Sequence, residues 1–255
     1  MALDLDWVRE RLPDRRIDWY PTIDSTMRAA SVLSASGCPS GTVVGAEEQT
    51  AGQGRYGRAW HSPPDVGLYQ SVILRLGLPP ARLPIVTLAL GLAVADAVAK
   101  TTDLACDLRW PNDLLLGGKK CCGILAQLDG AAVVVGIGLN VNQAAFPDSI
   151  AALATSLRIA GGREYAREPI LVRLLASIDT HCDLLVKEGP PPILDMFSRA
   201  SSYVLGRRVT VEQDSRVLTG TTDGLDAGGF LALREDNGRR TTILAGGVRP
   251  AVGIP

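Results

Sequence analysis

Leu114-Leu-Leu-Gly-Gly-Lys-Lys-Cys-Cys-Gly-Ile-Leu-Ala-Gln-Leu128 reads as a β-hairpin, with Leu114 to Leu116 and Cys122 to Leu128 as strands around a Gly117-Gly118 turn. Paired glycines supply the positive φ angles that a two-residue turn between antiparallel strands needs. Ala131 to Val135 adds another strand that runs into Gly136-Ile137-Gly138. Just before the hairpin stands Arg109-Trp110-Pro111-Asn112-Asp113. Proline in a strand-like context forces an edge or a bend, so Asn112 and Asp113 are displayed at a strand end.

Helices and further strands extend outward from this hairpin. Ile85 to Lys100 is apolar on most faces (Leu88, Leu90, Leu92, Val94, Val98) and long enough for a buried helix. Thr42 to Gly45 and Leu68 to Leu76 read as strands, and the segment between them, Thr50 to Arg58, has no hydrophobic period and reads as a long loop. The first twenty residues are polar and aromatic and end in a strand-like Trp19-Tyr20. Asp24 or Ser25 is placed to cap a helix through Ala29, Ala30 and Leu33, with Gly37 as its stop. Glu168 to Glu188 carries Leu171, Leu174, Leu175, Ile178 and Leu185 on one stripe, and Pro190-Pro191-Pro192 opens a short helix that closes near Ala200.

After Gly206 the pattern changes to short alternating strands, Val209 to Val211, Leu218 to Gly220, Phe230 to Leu233 and Thr241 to Leu244, separated by Asp-Gly, Gly-Gly and Asn-Gly turns. This is the signature of a small all-β barrel. The division expected is a larger domain over residues 1–203 and a small one over 204–255. A module of roughly 50 residues is marginal for independent folding, so it is expected to lean on the larger domain.

The chain has 255 residues, a formal net charge of −1, 46% hydrophobic and 21% charged residues, which is enough apolar surface for a sizeable core and excludes disorder as the dominant state. Near-neutral charge leaves no broad basic surface for nucleic acid. The longest apolar run, Leu83 to Val98, is broken by Thr87, Gly91 and Asp96, and Asp4, Asp6, Arg9 and Glu10 are out of place in a signal peptide. The expectation is a cytoplasmic protein bound neither to nucleic acid nor to a membrane. Cys38, Cys106, Cys121, Cys122 and Cys182 form no Cys-x-x-Cys pair, and with only His61 and His181 beside them no metal site is expected.

Three segments carry chemistry. The loop Ala51-Gly52-Gln53-Gly54-Arg55-Tyr56-Gly57-Arg58-Ala59-Trp60 combines glycines with two planar, permanently charged forks, which suits anion capture. It is neither a Walker loop nor a dinucleotide fingerprint, and the same composition also suits a solvated turn. Lys119, Lys120 and Gly123 lie on the hairpin, where a glycine admits a ligand to the backbone, although paired lysines at a hairpin are also ordinary exposed charge. Gly136-Ile137-Gly138-Leu139-Asn140-Val141-Asn142 ends in asparagines, whose donor and acceptor can read an adenine edge, although glycine-rich strand ends are common.

Together with Asp24-Ser25-Thr26 and Gln49-Thr50, these segments resemble the biotin protein ligases (biotin acetyl-CoA-carboxylase ligases) in order and spacing over about half the chain. The resemblance implies an α+β fold: a mixed-sheet catalytic domain of the class II synthetase-like type followed by a small SH3-like β-barrel. It implies ATP and biotin as substrates, with Mg2+ carried on the nucleotide phosphates. The activity implied is formation of biotinyl-5'-AMP with release of pyrophosphate, then transfer of biotin to a lysine of a biotin carboxyl carrier protein. It also leaves room for a homodimer.

By position, the resemblance assigns Lys120 and Arg55 as catalytic. Ser25, Thr26, Met27, Gln49, Gln53, Gly54, Arg55, Lys120 and Gly123 fall at biotin. Arg55, Arg58, Trp60, Asn112, Asp113, Lys120 and Asn140 fall at ATP. Acyl transfer to an incoming amine requires no enzyme nucleophile, so the lack of a Ser/His/Asp set is no obstacle. The motifs begin at Asp24, with few residues before them, so the helix-turn-helix of the family's repressors is not expected.

The chain departs from the family in three places: Gln53 replaces an arginine between the first two loop glycines, Met27 a polar residue, and Arg109 a lysine. Gln53 removes one cation from the loop. The expected result is faster escape of the adenylate than from Gln53→Arg, measured by comparing release of the intermediate; equal release overturns it. The Cys121-Cys122 pair is read as small, buried filling, with redox control of the site as the other reading. A lipoate or octanoate transferase and a nucleotide-binding protein without catalysis are the competing functions.

Overall fold

The computed structural model describes residues 2–213 and 216–251; residues 252–255, assigned above to the small domain, lie outside them. The first sheet is built from β1 (Ile17–Ile23), β2 (Val43–Gln49), β3 (Gly67–Leu74), β4 (Asp107–Arg109), β5 (Asp113–Leu116), β6 (Lys119–Asp129) and β7 (Ala132–Asn140). Their order is β1-β2-β3-β7-β6-β5-β4. Only β1 and β2 pair in parallel and every other neighbour is antiparallel, so the sheet is mixed, as the resemblance implied.

Helices α1 (Leu5–Arg11), α2 (Thr26–Ala35), α3 (Leu83–Thr102), α4 (Asp148–Ala151), α5 (Leu157–Gly161), α6 (Arg167–Glu188) and α7 (Pro190–Arg199) surround it. Alternation along β3 divides the core. Leu68, Val72 and Leu74 belong to the cluster shared with α3 and α6, whereas Ile73 packs with Met27 and Ala30 of α2. The hairpin forms as expected, with Gly117 at φ 56 and Gly118 at φ 79. It also carries a bulge: Leu114 pairs with Cys122 but Leu115 with Lys120, leaving Cys121 as the extra residue. A bulge bends a strand and re-aims its neighbours, and this one adjoins Lys120.

Several elements differ from expectation. The polar N-terminus contains α1, capped by Asp4, whose Oδ1 accepts from the Trp7 N–H at 3.0 Å. A helix of seven residues is too short to stand on propensity and depends on burial of Val8. Strand β2 runs past Gly45 to Gln49 because Glu47 finds buried partners. Helix α3 is long and apolar enough to cross a membrane by length and composition, despite the interruptions noted above. It packs instead against α6 and α7, with Leu88, Leu90, Val94 and Val98 fully buried.

The second sheet comprises β8 (Leu205–Gln213), β9 (Arg216–Leu225), β10 (Leu231–Glu235), β11 (Arg240–Ile243) and β12 (Val248–Pro250), in the order β11-β10-β9-β8-β12. Strand β12 was not legible in the sequence. The sheet is SH3-like but open, since its edge strands β11 and β12 share no ladder among the described residues. It leans on the larger unit as expected: Val209, Leu231, Leu233 and Val248 join the core cluster of α3 and α6, and the buried Trp110 indole donates to the Gly229 carbonyl at 2.9 Å.

Asp96 ties α3 to α6. Its carboxylate accepts from Ser177 Oγ at 2.5 Å and Arg173 Nη2 at 2.7 Å, and pairs with Lys100 Nζ at 2.9 Å. Partial burial alone would raise its pKa, but the Ser177, Lys100 and Arg173 contacts prevail and hold it at about 2. A depressed carboxyl contributes stability that is present above the unfolded value of about 3.9 and is lost as pH falls through the folded value. Asp96→Asn is therefore expected to cost about 1 kcal/mol at pH 7 after allowing for partial solvent screening, with the difference closing toward pH 2. Urea unfolding at both pH values checks this, and a pH-independent difference overturns it.

Candidate active site

Two cavities meet on the α2 side of the first sheet. The inner one is a narrow slot whose floor is Gly136 and Gly138 of β7 and Gly123 of β6. A Cβ on Gly138 would stand 2.3 Å from Trp60 Nε1, inside the indole ring's space, so that position has to be glycine, while one on Gly123 would stand 2.9 Å from Lys120 Nζ and displace the end of that side chain. At the inner end, the Thr26 N–H and Oγ1 donate to Gln49 Oε1 at 2.9 and 3.1 Å, while Gln49 Nε2 donates to Ser62 Oγ at 3.1 Å.

Helix α2 begins differently from expectation. Ser25 occupies the N-cap position but makes no capping bond, and Gln49 from β2 accepts the Thr26 N–H in its place. The Ser25 hydroxyl is therefore buried without a partner. Buried polar groups left unpaired are costly, and in a cleft they mark where a ligand's own polar atoms are expected. Met27 fills the space over Gly136, its sulfur 2.9 Å from where a Cβ would lie.

The outer cavity is a cleft of about 610 Å³, lined by Arg58, Trp60, His61, Phe146, Ile150 and Leu153 together with Gly246 to Pro250 from the C-terminal module. Gly54, Arg55, Trp60, Asn112 and Lys120 line both cavities and form their common wall. Here Asp113 is decisive. Its Oδ2 accepts from Arg109 Nη2 at 2.8 Å and its Oδ1 pairs with Lys120 Nζ at 2.5 Å. Burial would push this carboxyl up, but the Lys120 ammonium and the Arg109 guanidinium overcome it and hold it below the usual range. Asp113 thus stays ionised and fixes Lys120, whose ammonium also lies 5.2 Å from the centre of the Trp60 ring.

The glycine-arginine loop is compact. Gly54 N donates to the Arg58 carbonyl at 2.7 Å, Trp60 N to the Gly52 carbonyl at 2.9 Å, and Gln53 bridges Ala59. Arg55 reaches inward to Asn112, whereas Arg58 stays exposed at the cleft. Asn140, expected at adenine, is buried: its Nδ2 donates to the Thr155 carbonyl at 3.0 Å and its Oδ1 accepts from Gln143 Nε2 at 3.3 Å, which leaves one N–H toward the cleft. Cys121 and Cys122 are fully buried, and burial pushes the Cys122 thiol well above its ordinary range, which fits filling better than reactivity.

The residues assigned to biotin and ATP line the two cavities, Ser25 apart, whereas Asn142 gives both ends of its side chain to the Tyr165 backbone and Lys119 reaches the Ala151 carbonyl outside them. Ser62, Ser71 and the Gly246 turn escaped sequence reading. Ser71 stands opposite Thr26, its Oγ 2.9 Å from Thr26 Oγ1, and only the pairing of β3 beside β2 brings it there.

Known proteins resemble this chain in sequence and in fold. The profile of the Biotin/lipoate A/B protein ligase family matches residues 19–142, and that of the Biotin protein ligase C terminal domain matches residues 204–248. The biotin--[acetyl-CoA-carboxylase] ligase of Mycobacterium tuberculosis is 35% identical over 243 residues, covering 91% of this chain and 88% of that protein. The bifunctional ligase/repressor BirA of Bacillus subtilis is 34% identical over 231 residues, 86% of this chain and 70% of its own. Among solved structures, the biotin protein ligase from Aquifex aeolicus in complex with biotin and ATP superposes with a TM-score of 0.81 at 30% identity, covering 92% of this chain and 97% of that one. Over nearly its whole length, through both the mixed sheet and the C-terminal module, this chain belongs to the biotin protein ligase family.

Proposed function

We propose that the protein is an ATP-dependent biotin protein ligase that joins biotin to AMP and then passes the biotinyl group to a lysine of a biotin carboxyl carrier protein in the cytoplasm. The observation that carries this reading is the common wall. Lys120 and Arg55 line both the narrow slot and the broad cleft, so a carboxylate in one and a phosphate in the other would meet at the same two cations. Residues 1–203 would then carry the chemistry and the C-terminal module close the cleft.

In this reading biotin lies in the slot. Ser25, Thr26 and Gln49 meet its ureido ring, Met27 packs on its rings, and Gly123 lets its tail pass close to the backbone toward Gln53 and Gly54. ATP occupies the cleft, with phosphates toward Arg55, Arg58 and Lys120 and the base between Trp60 and Asn140, while Asn112 and Asp113 orient the cations. A carboxylate oxygen attacks the α-phosphorus and the bond to pyrophosphate breaks. Two anions must approach in this step, and fixed positive charge in a partly dry site cancels their repulsion without reorganising at the moment of reaction. Asp113, the one carboxylate lining the cleft among the described residues, has both oxygens engaged, so Mg2+ would ride on the phosphates and water. In the second step the neutral amine of the carrier lysine attacks the acyl carbon, the bond to the phosphate oxygen breaks, AMP leaves with the electron pair, and the nitrogen gives up a proton to water.

Exchange of labelled pyrophosphate into ATP tests the reading. Exchange that depends on biotin, and not on lipoate or octanoate, is the expected result. Exchange with either of the other acids selects an acyltransferase of the lipoate type, and no exchange with any selects a binding protein.

A further inference from the structure

Resting on that reading, we propose that Tyr56 is a positioning residue that aims Arg55 at the two reacting anions. Tyr56 lies in the left-handed region, at φ 59 and ψ 32, and is one of few residues other than glycine to do so here. Such backbone is costly for a side chain with a Cβ and collects at functional sites. The ring is 63% exposed, so burial does not offset the cost.

What the side chain does is hold a guanidinium. The Tyr56 hydroxyl accepts from Arg55 Nη2 at 3.0 Å, and the ring centre lies 5.0 Å from the guanidinium carbon. Arg55 Nη1 donates to Asn112 Oδ1 at 2.8 Å and to the Gly246 carbonyl at 3.3 Å. Gly246 is at φ 127, and a Cβ there would stand 2.3 Å from the Glu212 carbonyl oxygen, so that carbonyl is set by a turn that admits only glycine. Arg55 is thus gripped by the loop, by the β4–β5 connection and by the C-terminal module.

The chemistry of the grip differs from that at Lys120. All three acceptors are neutral, so the charge of Arg55 is oriented but not cancelled, whereas Lys120 and Arg109 share the carboxylate of Asp113. A guanidinium has five N–H donors, and with three engaged two remain for an incoming two-oxygen anion. Tyr56 supplies the only one of the three contacts made to Nη2. Losing it frees that end of the fork, and a loosely held arginine must be ordered when the anions arrive.

Single-turnover formation of the adenylate from biotin and ATP tests this in full-length wild type, Tyr56→Phe, Arg55→Ala and the double variant. Tyr56→Phe is expected to slow adenylation by roughly threefold to tenfold at saturating ATP, the size of one hydrogen bond to a charged group partly exposed to water, with the melting temperature and the KM for biotin unchanged. In the Arg55→Ala background the same change is expected to have no further effect, because Tyr56 acts through Arg55. A Tyr56→Phe rate equal to wild type, or the same slowing in both backgrounds, overturns the inference. A wild-type protein that makes no adenylate with biotin overturns the functional reading itself, a separate outcome.

Discussion

Lys120→Ala is expected to slow formation of the adenylate by on the order of a thousandfold, the upper range for losing one preorganised charge stabiliser. Two effects add. The ammonium is removed from the wall between the two cavities, and the Asp113 oxygen that it held at 2.5 Å is left as a buried anion beside the reacting anions. The second effect predicts that Lys120→Ala is worse than Lys120→Ala combined with Asp113→Asn, in which the stranded charge is gone. Arginine should rescue poorly, since Lys120 is a point charge in a gap bounded by the Trp60 ring and Gly123, and a planar fork is a different shape. Rapid-quench measurement of the first turnover decides it. A loss below tenfold would remove Lys120 from the chemical step.

The second large effect concerns folding. Arg167→Met is expected to destabilise the protein by about 3–5 kcal/mol, the range for removing one partner of a buried ion pair. Arg167 Nη1 donates to Glu47 Oε2 at 2.7 Å and to the Gly67 carbonyl at 2.9 Å, with the two side chains only 4% and 8% exposed. The other Glu47 oxygen accepts from the Leu3 N–H at 2.9 Å and Trp19 Nε1 at 3.0 Å. Taking the guanidinium away leaves a buried carboxylate that, among the described residues, keeps only the neutral donors of Leu3 and Trp19. Glu47→Leu with Arg167→Met is expected to recover a large part of the loss, because replacing both members of a buried pair by apolar groups avoids an uncompensated charge. Denaturant unfolding of the single and double variants reads this, and a double variant no more stable than Arg167→Met counts against it.

These two sites were not equally visible from the chain. Lys120 lies in a short motif, beside a glycine and after a turn, and the hairpin that carries it is legible in the local pattern. Glu47 and Arg167 stand 120 residues apart and belong to no motif. One reads as a charged residue just past a short strand, the other as the start of an amphipathic helix. The same gap explains why β2 looked four residues long: two successive glutamates argue against a strand until a buried arginine is found for one of them. It also explains the misread cap of α2, since sequence shows the local candidates Asp24 and Ser25 but not Gln49 arriving from the neighbouring strand.

The sequence alone determined the elements whose causes are local. The Gly-Gly turn set the hairpin, the apolar length of α3 set a buried helix, the change of rhythm after Gly206 set a small β unit, and the ordered motifs set the family. Short-range backbone preference and hydrophobic period suffice for these. Tertiary structure alone decided which chemical groups are free. It left the Ser25 hydroxyl unpartnered, gave both oxygens of Asp113 to cations, enclosed Asn140, and brought the Gly246 carbonyl 191 residues along the chain to Arg55. The physical reason is that a polar group's reactivity depends on which partners satisfy it, and those partners come from strands and turns that only the folded sheet makes neighbours.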